Sequence, residues 1–416
     1  MEKSMIEKSR FLPVITLSTT LFLTACSAHD LPQGEAAGLT RSSSQGSVAA
    51  HKKISHPATG DPAAKLSGNP VVLDLTNRQG LNSIIPRLME DRVVYVGETH
   101  DQFGHHLNQL EVIRQLHHRN PAMAIGMEFF QQPFQSVLDD YIGGRISEKE
   151  MLLKTEWYDR WRYDYRLYRP IMRYAREHRI PVIALNVARE LTDRVSEVGV
   201  AGLNEAERIR VPQELDNSNE RYRERIRAVY QAHPHTGSGG FDRFLEVQLT
   251  WDEGMAEQVV RYLQKNGDKN MVVLAGSGHL MYGTGIPSRV QRRLPVKSHI
   301  ILPAENMTLN PDIADFIIYP DQIELPPAGL MGVLLDQGER GVRVSGLVPK
   351  SAAKQAGVEE GDFILYLNGE AVSSTADIKI GMLDKSPGDR VKLQILRESM
   401  VWGKKILQFD FNLVGE

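Results

Sequence analysis

A single cysteine, Cys26, stands in 416 residues, which excludes a disulfide framework within the chain. An excess of either charge is also missing. Lysine and arginine number 49 against 52 aspartate and glutamate, for a formal net charge of -3, so there is no electrostatic reason to expect nucleic acid as a partner. No internal repeat or coiled-coil heptad is present. The one long apolar stretch, FLPVITLSTTLFLTA near the start, is too short to span a membrane comfortably. What remains is ordinary globular composition, 41% hydrophobic and 24% charged. The length exceeds what one core usually supports, so two domains with appendages are expected.

The apolar stretch follows Lys3, Lys8 and Arg10 and ends in small residues, the pattern of a secretory signal peptide over residues 1–25. Its end, Leu23-Thr24-Ala25-Cys26, resembles the lipobox of bacterial lipoproteins. That resemblance implies lipidation of Cys26, such as by palmitate, and a membrane anchor worth about 0.8 kcal/mol per buried methylene. Ser27 follows the cysteine in place of Asp, which resembles the sorting pattern for the outer membrane of Gram-negative bacteria. The expected location is the cell envelope, with the chain facing the periplasm. Residues 26–69 are rich in Gly, Ser, Ala, Pro and His without apolar period, as expected of a flexible tether.

Beyond the tether, VVLDL, VVYVGE, AMAIGME, PVIALNV, MVVLAG and SHIILP alternate with helix-length amphipathic stretches. Short apolar runs separated in this way predict an α/β domain with a mostly parallel sheet flanked by helices. Three runs end on polar groups: VVYVGETH at His100, AMAIGMEFF at Glu128 and MVVLAGSGHL at His279. A fourth, IPVIALNVAR, ends on Asn186 and Arg189. Ligand crevices of such sheets lie beyond the carboxyl ends of the strands, so His100, Glu128 and His279 are expected to meet there. Two imidazoles and a carboxylate form a common ligand set for a divalent metal such as zinc. The glycines of the two GxxH motifs, Gly97 and Gly276, are expected to let the backbone turn tightly beneath the imidazoles. Of the pair His105-His106, the first is expected to reach the crevice. An aromatic and basic insertion between Ser147 and Val229 is expected to form helices capping it.

The strings VGETHDQFGHHLNQLEVI, GMEFFQQPFQ, PVIALNV, VQLTWDEGMAE and LAGSGHL resemble the ChaN-like haem-binding uptake family. This family belongs to a larger group with the Tiki metalloproteases, TraB-like proteins and erythromycin esterases. The likeness runs from Val71 to Ile318 in a domain over residues 70–318, and the group's paired GxxH motifs and glutamate map to His100, His279 and Glu128. Glu98 adds a carboxylate within the first motif. The resemblance implies haem, which needs an apolar slot, an axial donor and cations for its propionates. Tyr158, Tyr163, Tyr165 and Tyr168 are candidate phenolates or stacking groups, and Arg160, Arg162 and Arg166 candidate propionate partners. The cofactor-binding set expected from these is His100, His105, Tyr163, Tyr165, Arg166 and His279. Relatives differ in chemistry, so under the alternative of a metal-dependent hydrolase or peptidase His100, Glu128 and His279 are the expected catalytic residues.

The last segment, VSGLVPKSAAKQAGVEEGDFILYLNGEAVSSTADI, resembles PDZ domains of the bacterial envelope type. It implies a small β-rich module over residues 327–413 with a peptide groove between a strand and a helix starting near Ser374. Leu330, Met331, Gly332 and Val333 match the loop whose amides receive a C-terminal carboxylate. The expectation is therefore a lipid-anchored protein that binds haem or an iron compound for uptake and recruits an envelope protein or peptide C-terminus. Membrane attachment through Cys26 is expected, and a homodimer is one arrangement open to it. The alternatives are the hydrolase and a non-catalytic scaffold acting through the PDZ module alone.

Overall fold

The computed structural model describes residues 76, 78–232, 239–304, 310–399 and 403–415. The signal peptide, Cys26, the tether and the VVLDL run lie outside these residues. Among the described residues six strands form the first sheet: β1 (Val93–Glu98), β2 (Met123–Gln131), β3 (Val182–Asn186), β4 (Asn270–Gly276), β5 (Ser298–Pro303) and β6 (Phe316–Ile318). All pair in parallel, in the order β3-β2-β4-β1-β5-β6. Strands covered on both faces must be apolar at every position, and β1 and nearly all of β2 and β4 are buried throughout. Their side chains divide by the two-residue period. Val94, Val96, Ile125, Met127, Val272 and Leu274 point into one apolar cluster, while Val93, Tyr95, Ala124, Met271, Val273 and Ala275 point into the other.

The helices α1 (Ile85–Leu88), α2 (Phe103–Arg119), α3 (Gln135–Ile142), α4 (Glu148–Lys154), α5 (Trp157–Arg160) and α6 (Arg169–Glu177) precede β3. Between β3 and β4 come α7 (Arg189–Val198), α8 (Glu205–Arg208), α9 (Glu220–Ala232) and α10 (Gly240–Lys265), and α11 (Ile286–Arg293) follows β4. The helical insertion opens at Ser147, whose hydroxyl caps α4 in a reciprocal capping box with Glu150. In α10 the buried positions Leu245, Leu249, Asp252, Ala256, Val259 and Leu263 recur at helical spacing, and Asp252 is the one charged member of that series.

The second sheet is antiparallel, with β7 (Val333–Gly338), β8 (Gly341–Leu347), β9 (Phe363–Leu367), β11 (Arg390–Ser399) and β12 (Gly403–Asn412) in the order β12-β11-β9-β8-β7. The short β10 (Glu370–Ala371) pairs with β9. Two helices complete the module, α12 (Ala352–Ala356) and α13 (Thr375–Gly381). Gly357 ends α12 at φ 99°, the left-handed cap that its sequence predicts. The module is not a bead on a string. Ala376, Ile380 and Leu383 belong to the same apolar cluster as the α/β domain, α13 packs against α4 and α5, and Arg169 pairs with Asp384 at 2.6 Å.

Candidate functional site

Strand order explains why three distant residues meet. Because β2, β4 and β1 are adjacent and parallel, Glu128 and the residues just beyond β1 and β4 reach the same edge. His279 and Glu128 are neighbours, with Nε2 to Oε1 at 3.4 Å. The backbone N–H of Gly276 donates to Glu128 Oε2 at 2.7 Å. His100 lies against the same glycine: a Cβ added to Gly276 would stand 2.9 Å from His100 Cε1 and 3.7 Å from Glu128 Oε2.

That contact revises the role expected for the motif glycines. Gly276 has φ -54° and ψ 138°, a conformation open to any residue. What the site requires there is the absence of a side chain. The same holds at Gly97, where a Cβ would stand 2.5 Å from Leu302 Cδ2 and 2.9 Å from Ser277 Oγ.

Each histidine is held by a carboxylate at Nδ1. His100 pairs with Glu98, and His279 pairs with Asp252 at 2.5 Å. Asp252 accepts a second hydrogen bond from the Tyr222 hydroxyl at 2.7 Å, and Arg225 of α9 donates to the carbonyl of Gly278 at 2.5 Å. Glu98, His100, Glu128, Asp252 and His279 are all at most 5% exposed. Burial opposes the charge on Glu128, but the two histidines and the Gly276 amide outweigh it and lower its pKa to about 2. For Asp252, too, burial is outweighed by His279, and the net shift is downward. Two imidazole–carboxylate pairs thus flank a carboxylate held ionised, an arrangement suited to moving protons. The expected metal trio gains less from the geometry: among the described residues no three His, Cys, Asp or Glu side chains are grouped to hold a metal ion.

An aromatic wall stands beside His100. The Trp161 ring lies 4.8 Å and the Tyr163 ring 5.1 Å from the imidazole, each close to edge-on. The Tyr168 hydroxyl donates to the His100 carbonyl at 3.1 Å and accepts from Trp161 Nε1 at 2.9 Å. Tyr163 is half-buried, and Arg162, between the two aromatic residues, is exposed.

Several expected site residues lie elsewhere. Tyr165 is fully buried, with its hydroxyl on Glu148 Oε1 at 3.2 Å, and burial pushes its pKa well up, so it cannot offer a phenolate to a ligand. Tyr158 and Tyr168 are likewise buried with raised pKa values. Arg166 is tied to Asp164 and to the carbonyl of Pro326, on the connection to the PDZ module. Arg160 is engaged by Glu156, Glu190 and Gln131. Arg189 holds the carbonyl of Asp159 at the β3 edge of the sheet. In the histidine pair the assignment changes. His105 Nδ1 accepts from the Thr99 amide at 3.0 Å and so braces the loop, whereas His106 Nε2 stands 3.6 Å from Glu98 and 3.2 Å from the His100 carbonyl. Burial lowers the pKa of His106 and favours its neutral form.

Sequence reasoning missed Asp252, Tyr222, His106 and Trp161. Only Asp252 carried a usable signal, an acid within the apolar stripe of α10.

Residues 84–290 match the model of the family described as haem-binding uptake, Tiki superfamily, ChaN. This part of the chain belongs to that family. Residues 329–412 match the PDZ domain. Among curated proteins the chain is similar to Protein RETICULATA-RELATED 5, chloroplastic, of Arabidopsis thaliana, 26% identical over 62% of this chain and 37% of the relative. It is also similar to the periplasmic pH-dependent serine endoprotease DegQ of Escherichia coli, 28% identical over 38% of this chain and 33% of DegQ. The chain therefore spans about a third of the length of these relatives. A solved structure described as cofacial heme binding to ChaN of Campylobacter jejuni aligns over 57% of this chain and 91% of that one, at 18% identity and a TM-score of 0.48.

The depressed pKa of Glu128 fixes a pH dependence. Its folded-state value, about 2, lies below the ordinary 4.5, so its ionisation stabilises the fold above 4.5 and that contribution is lost as pH falls from 4.5 toward 2. Denaturant titrations across this window are expected to show Glu128→Gln with a flatter acid limb than the parent chain. An identical limb would mean that Glu128 is not held ionised.

Proposed function

We propose that this protein binds haem at the mouth of the strand-end crevice and retains it at the cell envelope for uptake of haem or iron. The observation that carries the reading is the His100, Trp161 and Tyr163 wall lying within the region that belongs to the haem-binding family. The residues present fit the group. Haem needs a flat apolar face, an axial nitrogen or phenolate donor and cations for its propionates. The half-buried Tyr163 supplies the accessible ring and a phenolate, the buried His100 and Trp161 stand behind it as a nitrogen donor and an apolar backing, and the exposed Arg162 supplies a cation. Hemin titration of the purified chain is expected to give a saturable Soret shift. Tyr163→Phe should alter that spectrum, and Arg162→Ala should weaken binding by roughly tenfold through loss of a charge-assisted hydrogen bond. No saturable shift would sink the proposal.

A second reading, hydrolysis, is favoured by one feature that haem binding does not require. His279 is oriented by Asp252, which is itself fixed by Tyr222, while His279 Nε2 faces the ionised Glu128. A histidine so held is suited to giving its Nε2 proton to a leaving group and, once neutral, to taking one from water. Under this reading Asp252→Asn lowers ester or peptide turnover by about 10²-fold or more and leaves hemin affinity unchanged. Turnover equal to that of the parent chain would remove it.

The attachment proposed is a lipid on Cys26 that holds the chain on the outer membrane, facing the periplasm. Its support is the Leu23-Thr24-Ala25-Cys26 sequence followed by Ser27. Labelled palmitate is expected to enter the parent protein and not Cys26→Ala; equal labelling of both would contradict the assignment. The PDZ module is proposed to recruit a peptide C-terminus through the loop at Leu330, Met331, Gly332 and Val333. Gly332 adopts φ 72°, and a Cβ there would meet Ser351 at 2.2 Å, so the loop depends on this glycine.

A further inference from the structure

The helix that walls the PDZ groove is held on two sides. On one side α13 faces β7, the strand to which a peptide would add, and contributes Ile378 to the core of the module. On the other, Ala376, Ile380 and Leu383 are buried in the core of the α/β domain, where α13 packs against α4 and α5. Polar contacts reinforce this docking. Arg169 pairs with Asp384 at 2.6 Å, Arg166 donates to the Pro326 carbonyl at 2.8 Å, and Lys379 Nζ lies 5.2 Å from the centre of the Tyr158 ring.

The groove is also tied shut at one end. The side-chain carbonyl of Gln337 accepts from the Thr375 amide at 3.0 Å and from its hydroxyl at 3.4 Å. This joins the end of β7 remote from Gly332 to the first turn of α13. A peptide pairing with β7 needs about 4.8 Å of strand spacing. One long enough to reach Gln337 must break this tie and move α13 outward, and outward is where α4 and α5 stand.

From α5 the path to the crevice is short. Trp157 Nε1 donates to the carbonyl of Tyr163 at 2.9 Å, and Trp161, immediately after α5, packs on His100. We propose that occupancy of the PDZ groove is linked to the state of the His100 pocket, because peptide and interdomain docking compete for α13. Linkage of this kind is reciprocal: whatever loosens the docking strengthens the peptide, and the peptide loosens α5 and the Trp161–Tyr163 wall.

The inference rests on the proposed peptide-binding role of the PDZ module, and its test separates the two. Three alanine-rich hexapeptides ending in Val, Leu or Phe with a free carboxylate, and their amidated forms, are titrated into the full chain. Backbone hydrogen exchange over residues 157–163 is followed in parallel. A bound free-carboxylate peptide is expected to speed exchange in that segment. Asp384→Ala, at a position 67% exposed, removes one docking contact and is expected to tighten peptide binding about fivefold. Ala376→Glu breaks the apolar contact and should act in the same direction. Saturable peptide binding with unchanged exchange at 157–163, or with affinity unaltered in both variants, overturns the linkage and leaves the peptide-binding role standing. No saturable binding by any of the three peptides overturns both.

Discussion

A buried carboxylate that stays ionised constrains everything around it. Glu128 is 4% exposed, and an uncompensated charge in such a place costs several kcal/mol. The compensation comes from groups on other strands: the Gly276 amide and His279 beyond β4, and His100 beyond β1. These donors converge only if β4 lies between β1 and β2, which is the observed order. Each histidine then needs its own partner at Nδ1, and Glu98 and Asp252 supply it. The chain of requirements continues to Tyr222 and to the side-chain-free position at Gly276.

The aromatic insertion serves this core in two ways. Most of its rings are structural: Trp157, Tyr165 and Tyr168 are almost wholly buried and pack on one another and on Phe130. A smaller part, Trp161 and Tyr163, turns toward His100: Trp161 is buried against the imidazole, and Tyr163 is half-buried. The same segment carries the interface with the PDZ module, through α4, α5 and Arg169. One stretch of chain therefore shapes the crevice mouth and receives the second domain.

Much of the α/β layout was legible because it follows from local pattern. Short apolar runs such as VVYV, bounded by glycine, read as strands buried on both faces, and their alternation with helix-length segments points to a parallel sheet. His100, Glu128 and His279 were legible because each interrupts or follows such a run at a strand end. The partners that orient them were not. His106 and Tyr222 sit on helices where nothing local separates a site residue from a core residue. Tyr165 and Arg166 looked as suitable for haem as Tyr163, since adjacent residues differ only in the direction the backbone sends them.

The sequence by itself determined the parallel sheet and the residues that end its central strands, because periodicity acts over a few residues, and it made the PDZ module legible through resemblance to a known family. Tertiary structure alone decided that Asp252 holds His279, that Gly276 matters for its missing side chain, that His106 and not His105 stands beside Glu98, and that α13 is shared between two domains. Each of these depends on which distant surfaces come within a few ångströms, and that distance is fixed by the packing of whole elements.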